Sequence, residues 1–167
     1  MKNIVLIGMP GCGKTTIGKL LAERLHKKFC DIDEYIEENT KKSIPEIFKD
    51  GESVFRRIER NAVEEISKKF AMIIATGGGV VKSFSNIQNL KKNGMILFIN
   101  RPIEEIVADI DISNRPLMKD GKEKLYNLYE ERVDLYKKYC DYEVMNDDTL
   151  EKVTDKIVNM LDIKKTD

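Results

Sequence analysis

The sequence predicts an α/β protein, a parallel sheet covered by helices on both faces. Three observations predict it. Short, unbroken apolar runs at residues 4–7, 72–75 and 95–99 alternate with longer segments whose apolar residues recur at helical spacing. Unbroken runs, as opposed to every-other-residue patterns, suit strands buried on both faces. The first run passes into a glycine-rich loop, GMPGCGKT at residues 8–15, and then into a helix.

The elements follow in order. Residues 4–7 form a strand stopped by Gly8, and residues 14–27 a helix with Ile17, Leu20, Leu21 and Leu25 on one side. A short extended piece ends near Cys30. Short helices are expected over 33–39 and 44–49, and a longer one over 52–70. Residues 72–75 are a second buried strand, closed by Thr76 and three glycines. A helix over 83–92, a strand over 95–99 and a helix over 103–108 come next. Residues 109–121 contain a polar loop with Pro116, followed by a helix through 125–139. A short strand at 142–145, a last helix at 149–163 and a frayed tail at 164–167 complete the chain. No repeat, low-complexity segment or linker divides it, so residues 1–167 read as a single domain.

Lys plus Arg and Asp plus Glu both number 29, which argues against a protein held to nucleic acid or an anionic membrane by bulk charge. Only seven of the basic residues are Arg, so an arginine here marks a place where a planar, forked donor is wanted. Three cysteines, Cys12, Cys30 and Cys140, show no paired spacing and read as reduced thiols of a cytoplasmic protein. One histidine, His26, near a helix end, leaves no histidine-based triad or zinc site. No run is long enough to span a membrane, and the apolar start is too short for a signal sequence.

GMPGCGKT matches G-x-x-x-x-G-K-[ST] with a strand before and a helix after, the context that gives the match meaning. Its glycines let backbone N–H groups turn toward phosphate oxygens, and the helix start adds its positive end. Gly11, Cys12, Gly13, Lys14, Thr15 and Thr16 are the expected ATP-binding residues. Lys14 would reach the β- and γ-phosphates and Thr15 would bind Mg²⁺. The later strands end in Thr76 and Asn100, not in a carboxylate for the metal. The nearest candidates are Asp31 and Asp33. In an extended stretch, residues two apart share a face, so one could serve Mg²⁺ and the other a hydroxyl. The plainer alternative is that either caps the helix that follows.

Two ions sit where apolar residues belong. In the helix over 125–139, Leu125, Leu128, Tyr129, Leu135, Tyr136 and Tyr139 share a face, with Arg132 in its middle. In the helix over 51–70, Phe55, Ile58, Ala62, Val63, Ile66 and Phe70 form the apolar arc, with Glu59 inside it and Arg56 at its edge. Charged residues are seldom buried unless paired or bound to a ligand. Glu59 and Arg132 could pair with each other. Alternatively, Arg56 and Arg132 hold a small anion while Glu59 and Asp33 accept bonds from its hydroxyls. Gly77, Gly78 and Gly79, at the end of a strand, suit close approach to a ligand or merely a flexible turn. Arg115, beside Pro116, reads as a lid arginine or a surface residue.

GMPGCGKT, DID, FRRIE, GGG, RPLM and the ER of EERVDLY, in this order and spacing, make the chain resemble the shikimate kinase family over nearly its whole length. The resemblance implies a five-stranded parallel sheet flanked by helices, the three-layer P-loop kinase architecture. It also implies a mobile lid at about 109–121 and a mobile substrate-binding segment at about 33–60. It implies ATP-dependent phosphorylation of the 3-hydroxyl of shikimate, with Mg²⁺, by a cytoplasmic protein expected to be a monomer. By matching positions, Lys14 would contact phosphate, and Thr15 and Asp31 would hold the metal. Asp33 would be the base. Arg56, Glu59, Gly78 and Arg132 would contact shikimate, Phe48 and Phe55 would shape its pocket, and Arg115 would cover the phosphates. The chain departs from the family at Ala108, where members often carry an adenine-packing arginine, and mildly at Met118. A gluconate or nucleoside monophosphate kinase, or a nucleotide-binding module without catalysis, are the rival readings.

Overall fold

The structure, a computed structural model, describes residues 2–112 and 119–163. Five parallel strands form one sheet: β1 (Asn3–Ile7), β2 (Lys28–Asp31), β3 (Met72–Ala75), β4 (Gly94–Asn100) and β5 (Tyr142–Met145), in the order β2-β3-β1-β4-β5. Strand β1 is central, with Val5 opposite Ile74 on one side and Ile96 on the other. All five residues of β1 and all four of β3 are buried, as their unbroken apolar runs require.

The helices are α1 (Lys14–Arg24), α2 (Ile32–Thr40), α3 (Ile44–Lys49), α4 (Glu52–Ser67), α5 (Phe84–Asn93), α6 (Ile103–Ile112), α7 (Lys119–Tyr139) and α8 (Leu150–Ile163). Helix α1 packs on β3 and α8, while α4 packs on α2, α3 and α5. A reciprocal cap starts α3: Ser43 accepts from the Glu46 amide, and the Glu46 carboxylate accepts from the Ser43 amide.

Several boundaries differ from the expected ones, each for a local reason. Helix α1 stops at Arg24, and His26 turns left-handed with φ 51°. Helix α4 stops at Ser67, so Phe70 leaves the apolar arc and stands 65% exposed. A 3₁₀ turn, Val80–Lys82, follows the three glycines unannounced. Helix α6 runs on to Ile112 and α7 begins at Lys119, so both ends of the expected polar loop are helical. Arg115, Pro116 and Met118, and with them the core of the expected lid, lie outside the described residues.

The strand order reverses direction between β1 and β3. Ligands of open α/β sheets bind at the carboxyl ends of the strands on either side of such a point. The GMPGCGKT loop leaves β1 and the glycine turn leaves β3, so both open onto that crevice.

Candidate active site

The phosphate loop is built as its sequence requires. Gly11 and Gly13 take φ of 79° and 99°, the left-handed region that residues with a Cβ avoid. Lys14 is buried, and its Nζ donates to the Gly8 and Met9 carbonyls, each at 2.8 Å, which folds the lysine back over the loop. A cavity of about 570 Å³ opens above Gly13, Lys14, Thr15 and Thr16, walled on its far side by Arg101, Asn146 and Leu150.

Asp31 takes the capping role that the sequence left open and also meets Thr15. Its Oδ1 accepts from the amides of Asp33 and Glu34 and so caps α2, while its Oδ2 accepts from the Thr15 hydroxyl at 2.7 Å. Among the described residues no group of three or more His, Cys, Asp or Glu could hold a metal. One carboxylate and one hydroxyl side by side still fit Mg²⁺, which favours a few protein oxygens completed by phosphate and water.

Asp33 is not in an extended stretch, so the two-residue argument for it fails. It stands in the first turn of α2, whose first residue is Ile32. Its carboxyl nevertheless reaches the crevice. Oδ1 is buried with no hydrogen-bond partner, and the pKa is pushed up to about 6, mainly by burial and then by Asp31 and Glu59, against the pull of Lys14.

The glycine turn borders this carboxyl. A Cβ on Gly77 would stand 2.9 Å from Asp33 Oδ1, one on Gly78 would stand 2.7 Å from Pro10, and one on Gly79 would overlap the Arg56 guanidinium. These glycines therefore supply space for three converging groups, not flexibility. The Gly78 carbonyl accepts from the buried Tyr136 hydroxyl at 2.5 Å.

The two misplaced ions are buried as expected, Glu59 with 1% and Arg132 with 7% of its surface exposed. They do not pair with each other: among the described residues Glu59 pairs with Arg56, whose Nη1 lies 3.0 and 3.2 Å from its two oxygens. Spacing explains the preference, since residues three apart on one helix are neighbours. Arg56 is further steadied by Glu52 at 3.3 Å. Burial raises the Glu59 pKa, and Arg56 and then Arg132 oppose that rise. Arg132 Nε is buried without a partner, although the guanidinium lies against the Tyr136 hydroxyl. A permanently charged group with a buried N–H left unpartnered is costly, and an anion relieves it. Phe48 stacks on Phe55 at 4.5 Å and floors the same region, with Phe48 partly exposed.

Three residues escaped the sequence reading. Tyr136 looked like one more ring of an apolar stripe. Arg101 and Asn146 follow β4 and β5, and only the assembled sheet carries them to the phosphate loop.

The sequence model of the shikimate kinase family matches residues 10–162. The chain is 52% identical over 162 residues to the shikimate kinase of Clostridium botulinum (strain Alaska E43 / Type E3), covering 96% of this chain and 98% of that one. Its structure is similar to that of shikimate kinase from Acinetobacter baumannii in complex with shikimate, with a TM-score of 0.92 and 32% identity over 100% of this chain and 96% of the other. Shikimate kinase from Aquifex aeolicus superposes with a TM-score of 0.84 at 34% identity, over 96% of each chain. With a match of this extent in sequence and in structure, the chain belongs to the shikimate kinase family.

Proposed function

We propose that the protein transfers the γ-phosphoryl group of ATP to the 3-hydroxyl of shikimate, giving shikimate 3-phosphate and ADP in the biosynthesis of chorismate and the aromatic amino acids. The observation that carries the reading is a buried, unpartnered carboxylate oxygen at Asp33 and a buried, unpartnered Nε at Arg132, both near enough to Glu59 to interact with its charge. The first suits a hydroxyl, the second an anion, and shikimate carries both. The family and the shikimate-bound relative agree with it.

Each side chain then has a task. Lys14 exchanges its two loop carbonyls for phosphate oxygens and balances charge that develops in transfer. Thr15 and Asp31 hold Mg²⁺, which neutralises phosphate charge when bound. Asp33 accepts a hydrogen bond from the acceptor hydroxyl and takes its proton as the phosphoryl group arrives. Arg132 and Arg56 grip the carboxylate of shikimate. Glu59 holds Arg56 in place and accepts from a ring hydroxyl. The turn of Gly77, Gly78 and Gly79 keeps room for the ring beside Asp33. Arg115 is assigned the role of a lid arginine on the resemblance alone.

Among the described residues no helix is long and apolar enough to cross a membrane. The three cysteines are free thiols, in keeping with a cytoplasmic location. Every group in the scheme comes from one chain, so a monomer suffices.

Asp33 also weighs against a phosphate-bearing acceptor, which its charge would repel, and so against a nucleoside monophosphate kinase. The test is ADP release in a coupled assay with shikimate, gluconate and nucleoside monophosphates as acceptors. Turnover with shikimate alone is expected. Preference for another acceptor, or ADP release that no acceptor stimulates, would overturn the reading.

A further inference from the structure

The phosphate loop must present amide N–H groups in a set orientation, and a trans peptide points its C=O the opposite way. Each carbonyl displaced from the turn then needs its own donor. Gly8 and Met9 find theirs in Lys14, from within the motif. Gly11 and Cys12 find theirs outside it. Arg101 Nη1 donates to the Gly11 carbonyl at 3.2 Å, and Asn146 Nδ2 donates to the Cys12 carbonyl at 2.8 Å.

Both donors are held in place. Arg101 follows β4 and is braced by Asp109 at 2.6 Å and Glu105 at 3.5 Å, one turn apart on α6. Asn146 follows β5 and is buried, its amide N–H bonded to the Asn100 carbonyl at 2.8 Å. It packs so closely that a Cβ on Gly13 would come within 2.9 Å of its Nδ2. Two neighbouring strand ends thus reach over to grip consecutive peptides of the loop.

We infer that Arg101 and Asn146 are positioning residues that clamp the phosphate loop from outside, fixing the Gly11–Cys12 peptide, whose N–H closes the turn onto the Met9 carbonyl at 3.2 Å, and the Cys12–Gly13 peptide next to it, so that the loop keeps its shape for triphosphate binding. The inference rests on the loop being the ATP site, as proposed above. Arg101 meets both Gly11 and Asp109 through Nη1 and Glu105 through Nε, two nitrogens of one planar group that the single Nζ of a lysine cannot reproduce.

The test is calorimetric titration of Arg101→Ala, Arg101→Lys, Asn146→Ala and the double alanine variant with magnesium tripolyphosphate and with MgATP, beside the KM for shikimate. Each single alanine variant is expected to bind both phosphate ligands about 10-fold more weakly, the loss from one hydrogen bond, charged in its donor at Arg101 and neutral but buried at Asn146. The KM for shikimate should stay within about twofold, and Arg101→Lys should recover only part of the loss. The double variant should fall well short of the product of the singles, because releasing one peptide already loosens the loop. If Arg101→Ala weakens MgATP but not tripolyphosphate, the side chain serves the base or ribose and the clamp is refuted. Unchanged affinity for both ligands would refute it equally. Should the buried Asn146 tolerate no substitution, Asp109→Asn replaces it. Loss of that charged brace should weaken tripolyphosphate about threefold, and no change would count against the clamp. A wild-type protein that binds no MgATP would instead defeat the assignment of the ATP site itself.

Discussion

Asp33 is poised between folding and chemistry. Burial and the nearby carboxylates of Asp31 and Glu59 raise its pKa from 3.8 to about 6, so its ionised form is strained in the ligand-free protein. The proposed role as base needs that same ionised form. Turnover should therefore fall as pH drops through about 6, with kcat/KM for shikimate losing one proton's worth of slope below it. A flat profile from pH 5 to 8 would remove Asp33 as the base. Asp33→Asn should cut kcat by about 10²–10⁴-fold while MgATP binding persists. Stability should move the other way. Because the folded pKa lies above the ordinary value, this group's stabilising contribution is present below about pH 4 and lost as pH rises through about 6. At pH 8 the ligand-free asparagine variant should thus be more stable by on the order of 2 kcal/mol, measured by urea unfolding. A destabilised variant would show that the carboxylate is better satisfied than its surroundings indicate.

Two elements, the glycine turn after β3 and helix α7, shape the proposed acceptor pocket. The turn carries its glycines for space, since a methyl on Gly79 would collide with Arg56. Gly79→Ala is expected to displace that guanidinium from Glu59 and raise the KM for shikimate about 10-fold, leaving the KM for ATP nearly unchanged. Equal losses for both substrates would mean that the whole crevice had shifted. Helix α7 buries Leu125 and Tyr136 and carries Arg132 into the same region. Arg132→Ala should raise the KM for shikimate about 10–100-fold, the worth of a charge-assisted bond, and affect ATP little. The apolar face around it would survive the change, so expression and far-ultraviolet circular dichroism should match the parent.

At the scale of the whole molecule, the sheet order β2-β3-β1-β4-β5 brings the phosphate loop, the glycine turn and the Asp31–Asp33 segment to one end of the sheet. The two substrates should therefore stabilise the fold separately. A ligand at a hundred times its dissociation constant adds about 2.7 kcal/mol. Thermal unfolding of the parent should shift upward with shikimate and with MgATP alike, whereas Arg132→Ala should lose the shikimate shift and keep the MgATP shift. Loss of both shifts would point to a collapsed crevice in place of a missing ligand contact.

Local order in the chain was enough to place much of this. Unbroken apolar runs marked the strands because a strand buried on both faces has no polar side to show. GMPGCGKT announced the phosphate loop because positive φ at Gly11 and Gly13 is a local need. Glu59 and Arg132 stood out because a helix face has a fixed period. Partners that lie far apart along the chain followed no such rule. That Gly79 makes way for a guanidinium, and that Arg101 and Asn146 reach the loop across 90 and 134 positions, depend on how the strands and helices lie together. Hydrogen bonds and ion pairs act over a few ångströms, and only the packed sheet brings such distant residues within that range.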